Sequence, residues 1–566
     1  MNEKVTFKDS QKVKKDVDTS HVDKVLKRLS FISLVLVMFF LVVCMRLTEV
    51  SLKGGLYGIQ KSQNELTENK KRGSIVDRNG HVLATNIHAY ALYAYPSDII
   101  DPEYTAEKLT NYFSNIDYKI LYKKITNKEK KEILLKRGVV ANKAHKINSI
   151  GLAGLQFRVE DKRFYPKENL VSHLVGHVDI DMEGSAGIEK SFNKSLSQGE
   201  NIKLTLDVRI QHAVREELIK GFESFNALSA MGIVVNVNSG EILSTVNIPD
   251  YNPNSNINPK SLGYSNASAI SVFEMGSIYK MFTVAAALEN KIANIDTLFD
   301  ARKPIKIANH TIKDYFPKNK FLTMREVFLY SSNIGSSLIA ASLGANRQRE
   351  FLTKLGLLDT PSIQGVNLIT KPITPKRWGI AEVATISYGY GISVTPIQLA
   401  SVVSTLVNGG YKIPLNIVSE INNYSNKKVF KRVVSLDTSK IIRSLLKENV
   451  ESGTAKRAKM KGYEIGGKTA TSEKINSVNK YDKNKRLSSF IAIFPVNKPK
   501  YLVFVLLDEP NPIDNKRGHA TGGWTAVPVT ANIIKRIAPL LDVTRQIPIE
   551  NLIVDNEGGN LNLASY

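Results

Sequence analysis

Ser277 and Lys280 stand three residues apart in GSIYKMFTVAAALEN (276–290), a stretch whose small and apolar residues predict a helix. At that spacing both side chains lie on one helical face. A serine hydroxyl is a weak nucleophile and needs a neighbouring base. A lysine can be that base only if burial or a nearby cation lowers its pKa enough to leave the amine neutral. The pair alone is common, since the same spacing recurs at Ser191/Lys194, Ser425/Lys428 and Ser477/Lys480. Those copies lie in polar or pattern-poor stretches, and none opens an apolar helix. Two further groups follow in chain order. Ser331-Ser332-Asn333 lies 54 residues after Ser277, between the helical segments MREVFLY and IGSSLIAASLG. Lys468-Thr469-Ala470-Thr471 comes 137 residues after Ser331, behind IGG, on or at the start of a strand.

The elements that must position these groups are legible around them. MGIVVNVNSGEILSTVN (231–247) is strand-like and carries Ser239-Gly240 at its middle, a hairpin signal. SVTPIQLASVVSTLVNGG (393–410) predicts a helix capped by Thr395, with Pro396 in its first turn and Gly409-Gly410 ending it. LSSFIAIFPVN (487–497) and KYLVFVLLDEP (500–510) predict two buried strands joined by a turn containing proline. Strands at both ends with helices between them indicate an α/β (α+β) domain with a mainly antiparallel sheet. Upstream, RGSIVDRNGHVLATN (72–86) predicts a hairpin turning at Asn79-Gly80, with Arg72, Asp77 and Arg78 holding the turn and a domain interface.

LSFISLVLVMFFLVVCM (29–45) is uncharged and bounded by Arg28 and Arg46. It reads as an uncleaved membrane span, since no small-residue cleavage pattern follows it. Lys12, Lys14, Lys15, Lys24, Lys27 and Arg28 precede it, whereas only Lys53 and Lys61 follow closely. That bias puts the N-terminus in the cytoplasm and exports the remainder.

The 566 residues are too many for one core, so two or three domains are expected. The net charge of +24 is spread through the whole chain without a recognition module, which reads as solvated surface rather than a nucleic-acid site. Cys44 is the only cysteine, so an intramolecular disulfide and a cysteine metal site are both excluded. The expected segments are a cytoplasmic tail 1–28, an anchor 29–46, a pedestal 47–203, a catalytic domain 204–545 and a tail 546–566.

The ordered set S-x-x-K, S-x-N, K-T-G is that of penicillin-binding proteins and serine β-lactamases, and this chain carries it with Ala470 at the last position. The chain resembles a class B penicillin-binding protein, most closely the septal (FtsI-type) peptidoglycan D,D-transpeptidase of Gram-negative bacteria. The resemblance rests on RGSIVDRNG, GSAGIEKSFNKSL (184–196), LTLDVRIQ, SGEILSTVNIPDYNPN, EMGSIYKMFTVAAALE, SSNIGSS, YGYGISVTPIQLA, IGGKTAT, SSFIAIFP, FVLLDEP and GGWTAVPV (522–529). It implies a penicillin-binding-protein/β-lactamase-like transpeptidase domain on an elongated mixed α/β pedestal, anchored in the cytoplasmic membrane with the catalytic domain in the periplasm.

The resemblance also implies roles. Ser277 attacks the penultimate D-Ala carbonyl of a stem pentapeptide, and Lys280 takes its proton. Ser331 passes a proton to the leaving amine, and Asn333 holds Lys280 or the substrate amide. Lys468 depresses the Lys280 pKa and, with Thr469, holds the terminal carboxylate. The N–H groups of Ser277 and Thr471 form the oxyanion hole. No cofactor or metal is implied. The implied partners are stem pentapeptides on lipid-linked precursor or nascent glycan, β-lactams as inhibitors, the septal glycan polymerase and other division proteins. Two residues depart from the family pattern. Ala470 replaces the usual glycine, with an expected effect on β-lactam binding, and Met275 replaces the usual proline before Gly-Ser. The segment before Ser277 leaves no room for a glycosyltransferase, and the anchor and pedestal argue against a free β-lactamase. Asn333 favours the septal over the elongation branch, which usually carries Asp there. A non-catalytic scaffold or sensor for wall peptides or β-lactams is the alternative from another class.

Overall fold

The computed structural model describes residues 26–48, 71–255, 263–308, 310–363, 365–366, 369–419, 430–475, 480–511 and 520–545. The expected tails at 1–28 and 546–566 therefore lie outside the described residues, apart from 26–28. Two units are distinct, Met1–Lys70 and Lys71–Tyr566.

In the first unit, helix α1 covers Leu26–Thr48, 23 residues with mean hydropathy 2.5. It is longer than the uncharged run because the helix continues through Lys27, Arg28 and Arg46 at its ends. At 1.5 Å per residue it is about 35 Å long, enough for a hydrocarbon core of about 30 Å.

The second unit opens on a five-stranded sheet built from β1 (Ile75–Val76), β2 (Val82–Ala94), β3 (Ile133–Val140), β4 (Leu155–Phe164) and β5 (Ile202–Lys203). The predicted hairpin is present: β1 and β2 pair antiparallel, and Gly80 supplies φ +89° at the turn. Asp77 holds that turn by accepting the Asn79 and His81 N–H groups at 2.8 Å each, and it also accepts the Val208 N–H at 3.1 Å. Several bonds to a carboxylate favour its ionised form, and the Asp77 pKa is lowered despite burial. Arg72 and Arg163 converge on the buried Glu189 carboxylate at 2.7 Å each. These polar residues thus fasten the hairpin to the segments that precede helix α2 (Val208–Ser224).

A second five-stranded sheet follows. Its strands are β6 (Ser229–Asn236), β7 (Ile242–Ile248), β8 (Gly466–Ile475), β9 (Tyr481–Phe494) and β10 (Tyr501–Asp508). They lie in the order β8-β9-β10-β6-β7, and every neighbouring pair is antiparallel. The strands read as nearly continuous apolar runs because both faces are covered. Successive side chains alternate between faces. Leu502, Phe504 and Leu506 join one core with α3 (Lys280–Glu289), α4 (Met324–Tyr330), α5 (Asn333–Leu343), α6 (Pro396–Val407) and α7 (Leu436–Glu451). Val503, Val505 and Leu507 join the other, under α2 and α8 (Ala526–Leu540).

Helix α6 carries the predicted cap, with the Thr395 hydroxyl accepting the Gln398 N–H. Two elements differ from expectation. The helix at 276–290 is divided, with a 3-10 turn at Gly276–Tyr279 leading into α3. Strand β9 begins at Tyr481, ahead of the apolar run, because its first residues form an exposed ribbon with the end of β8 and need no apolar side chains.

Candidate functional site

Helix α3 is buried around its whole circumference from Lys280 to Ala287. That explains why its sequence lacks a polar stripe: a helix enclosed on every side is apolar all round. Lys280 is the exception, a cation 1% exposed at the helix start. The turn before it is pinned to the sheet. Gly276 has φ +51°, and a Cβ there would stand 3.0 Å from the Thr471 carbonyl oxygen. The Ser472 hydroxyl donates to the Glu274 carbonyl at 2.6 Å. These contacts bring Ser277 beside strand β8.

Ser331 ends α4 in the left-handed region, at φ 58° and ψ 41°. For a residue other than glycine this conformation costs energy, of order 1–3 kcal/mol. The surroundings enforce it. Ser332 caps α5 and donates to Asp314 at 2.7 Å, and Asp314 also accepts the Ile334 N–H at 2.9 Å. The reversal between α4 and α5 aims the Ser331 hydroxyl at Ser277, with 3.0 Å between the two oxygens.

The third group arrives on β8. Lys468 is fully buried and donates to the Ser331 Oγ at 3.2 Å. The Thr469 hydroxyl lies 2.7 Å from that of Thr454. The Thr471 hydroxyl accepts the Gly522 N–H at 3.0 Å. The structure therefore brings Ser277, Lys280, Ser331, Asn333 and Lys468 into one hydrogen-bonded cluster, with Thr469 and Thr471 on the adjoining strand.

The electrostatics of the cluster follow from this geometry. Lys280 Nζ lies 3.0 Å from Ser277 Oγ, 2.7 Å from the Ser331 carbonyl, 3.0 Å from Ser331 Oγ and 2.8 Å from Asn333 Oδ1. An ammonium has three N–H donors for these four oxygens. A neutral amine, with two N–H donors and one lone pair, also makes three such bonds, so the contacts accommodate either form. Burial, and then the Lys468 charge, push the Lys280 pKa well below the usual lysine range, against a smaller opposing pull from Asp314. Burial lowers Lys468 to about 7. The site thus holds a serine hydroxyl, an amine whose pKa is pushed down and which can take that proton when neutral, a second hydroxyl bridging both, and a second amine able to bind an anion when charged. Those groups suit covalent acyl transfer through Ser277.

Ala470 lies on the same face of β8 as Lys468, 3% exposed and within the core on the α3 side. Its methyl is buried beneath the strand instead of standing in open space along it. Asp314 and Thr454 escaped sequence reasoning. Asp314 sits in a lysine-rich stretch with no recognisable spacing to Ser332, and Thr454 belongs to a loop with no repeated pattern.

A family model of the penicillin binding protein transpeptidase domain matches residues 230–535, and one of the penicillin-binding protein dimerisation domain matches residues 67–207. The "Probable peptidoglycan D,D-transpeptidase FtsI" of Caulobacter vibrioides is 36% identical, across 84% of this chain and 82% of its own. The peptidoglycan D,D-transpeptidase FtsI of Escherichia coli is 28% identical, across 83% and 84%. Among solved structures, a penicillin-binding protein 3 from Mycobacterium tuberculosis, complexed with aztreonam, superposes with a TM-score of 0.66 at 23% identity, covering 85% of this chain and 98% of the other. At that identity the likeness speaks for the fold.

Proposed function

The chain belongs to the penicillin-binding protein transpeptidase family, and on that premise we propose that Ser277 forms the acyl-enzyme through which it cross-links peptidoglycan. The protein is a serine D,D-transpeptidase of the septal class B type, acting on peptide stems and acylated by β-lactams. Among the described residues one helix, α1, is long and apolar enough to cross a membrane.

The observation that carries the site assignment is the convergence of Ser277 Oγ, Lys280 Nζ and Ser331 Oγ within 3.0 Å of one another. Neutral Lys280 takes the Ser277 proton as the oxygen attacks the penultimate D-Ala carbonyl. The N–H groups of Ser277 and Thr471 hold the resulting oxyanion, a role worth roughly 10²–10³ in rate per donor. When the tetrahedral species collapses, the C–N bond to the last D-Ala breaks and the leaving amine takes a proton from Lys280 through Ser331. Lys468 and Thr469 hold the carboxylate of that residue. Asn333 orients Lys280. An amine from a second stem then attacks the ester, gives up its proton along the same route and restores Ser277. The test is labelling with a fluorescent penicillin: wild type labels, and Ser277→Ala does not.

By the same reading, residues 47–203 form the pedestal and 204–545 the catalytic domain, with the tail 1–28 in the cytoplasm and the catalytic domain in the periplasm. The excess of Lys and Arg before the apolar run supports this orientation. The pedestal would bind the septal glycan polymerase and other division proteins. Co-purification after pedestal deletion tests this, and retained polymerase association would contradict it.

A further inference from the structure

The segment Lys313–Phe321 runs from the second motif out to the surface. At its inner end the Lys313 carbonyl accepts the Asn333 Nδ2–H at 3.2 Å, and Asp314 holds Ser332 and the Ile334 N–H. At its outer end Tyr315 and Phe316 are 55% and 64% exposed and pack edge to face, with ring centres 4.8 Å apart. Phe321 is also exposed, as is the edge of Tyr330, the residue directly before Ser331. Lys318 stands 4.8 Å from the Tyr330 ring centre. Lys313 and Lys318 are both exposed. The nearby acids are already engaged. Asp314 is tied into the α5 cap, Asp300 pairs with Arg302, and Glu326 pairs with Lys320.

An exposed group of aromatic rings set among cations, joined by hydrogen bonds to a catalytic turn, has the chemistry of a ligand surface. Flat rings stack on the C–H faces of sugars. Ammonium groups pair with the free carboxylates of peptide stems. The surface starts from the Ser331–Asn333 turn, whereas the donor carboxylate is assigned to Lys468 and Thr469 on strand β8. We propose that Tyr315, Phe316, Phe321 and Tyr330, with Lys313 and Lys318, bind the acceptor: the sugar-peptide repeat of an uncross-linked peptidoglycan strand, held so that its stem amine reaches Ser277. This rests on the transpeptidase reading given above.

The test uses the full chain in detergent micelles and soluble, uncross-linked glycan oligomers carrying tetrapeptide stems. Tyr315→Ala/Phe316→Ala should weaken oligomer binding about tenfold. Lys318→Glu should weaken it several-fold at low salt and less at high salt, as a screened charge requires. Both variants should keep the wild-type rate of Ser277 acylation by benzylpenicillin within about twofold, because neither side chain belongs to the catalytic cluster. Unchanged oligomer binding in both variants overturns the proposal, as does wild type that acylates normally but fails to bind oligomers. Loss of acylation together with binding also overturns it, since the segment would then only brace the second motif. Wild type that fails to acylate would instead bring down the transpeptidase reading itself.

Discussion

Lys280 and Lys468 converge on a single oxygen, the Ser331 Oγ, at 3.0 and 3.2 Å. Both amines are buried, and the Asp314 carboxylate is a charge that favours the Lys280 ammonium. Two ammonium groups so placed disfavour one another, and burial disfavours both. The proposed chemistry would resolve that conflict with Lys280 neutral as the base and Lys468 charged while an anion is bound.

A base that must be neutral cannot be replaced by a guanidinium, which stays protonated. Lys280→Arg should reduce the second-order rate of benzylpenicillin acylation by about 10²–10⁴, the usual contribution of a positioned base. Stopped-flow acylation kinetics measure this. A near wild-type rate would remove Lys280 from the base role.

Asn333 is an uncharged acceptor for Lys280 at 2.8 Å. Asn333→Asp puts a carboxylate at that distance and raises the Lys280 pKa, because an opposite charge favours the ammonium. The acid limb of the acylation rate should therefore move to higher pH, with slower acylation near neutrality that recovers as pH rises. A pH profile of the variant that superposes on wild type would show that Asn333 does not tune Lys280.

Lys468, lowered to about 7 by burial, loses its charge in the free protein as pH rises through that value. If its cation holds the substrate carboxylate, the acylation rate should decline on the alkaline side of neutrality. Lys468→Arg keeps the charge at higher pH. In that variant the alkaline decline should move up by at least about one pH unit, even if the maximum rate falls. An unmoved limb would assign the decline to another group.

Away from the site, Glu189 stands between Arg72 and Arg163 with all three side chains buried. Glu189→Gln leaves two buried guanidinium groups without their carboxylate. Breaking a buried ion pair on one side costs about 3–5 kcal/mol. Thermal unfolding should show that loss, while the acylation rate measured well below the transition stays within about twofold. An unchanged transition would mean the cluster adds no stability.

The sequence carried much of this arrangement. The three motifs, the turns at Gly80 and Gly240 and the Thr395 cap follow from local chemistry, and each is present. The continuous apolar run of β10 reflects its two covered faces, and the uniform apolarity of α3 its enclosure. What could not be read depends on contacts between distant segments. Ser331 is left-handed, yet no glycine or asparagine marks the position; Asp314 and the Thr323-capped α4 on either side impose it. Glu189 looks like any acid in a polar stretch until the fold brings two arginines to it. Ala470, which replaces the usual glycine, is buried in the core on the face of β8 that also carries Lys468, a placement that depends on the register of the sheet. Helix α1 outran its apolar segment because charged residues at the ends of a span continue the helix.

In the proposed mechanism the Ser277 oxygen, and no other, takes the acyl group. Mass spectrometry of peptides from the full chain after benzylpenicillin exposure tests it most directly. One penicilloyl adduct is expected, on the peptide containing Ser277, and it should disappear in Ser277→Ala. An adduct on Ser331 or any other residue, or its persistence in Ser277→Ala, would contradict the mechanism.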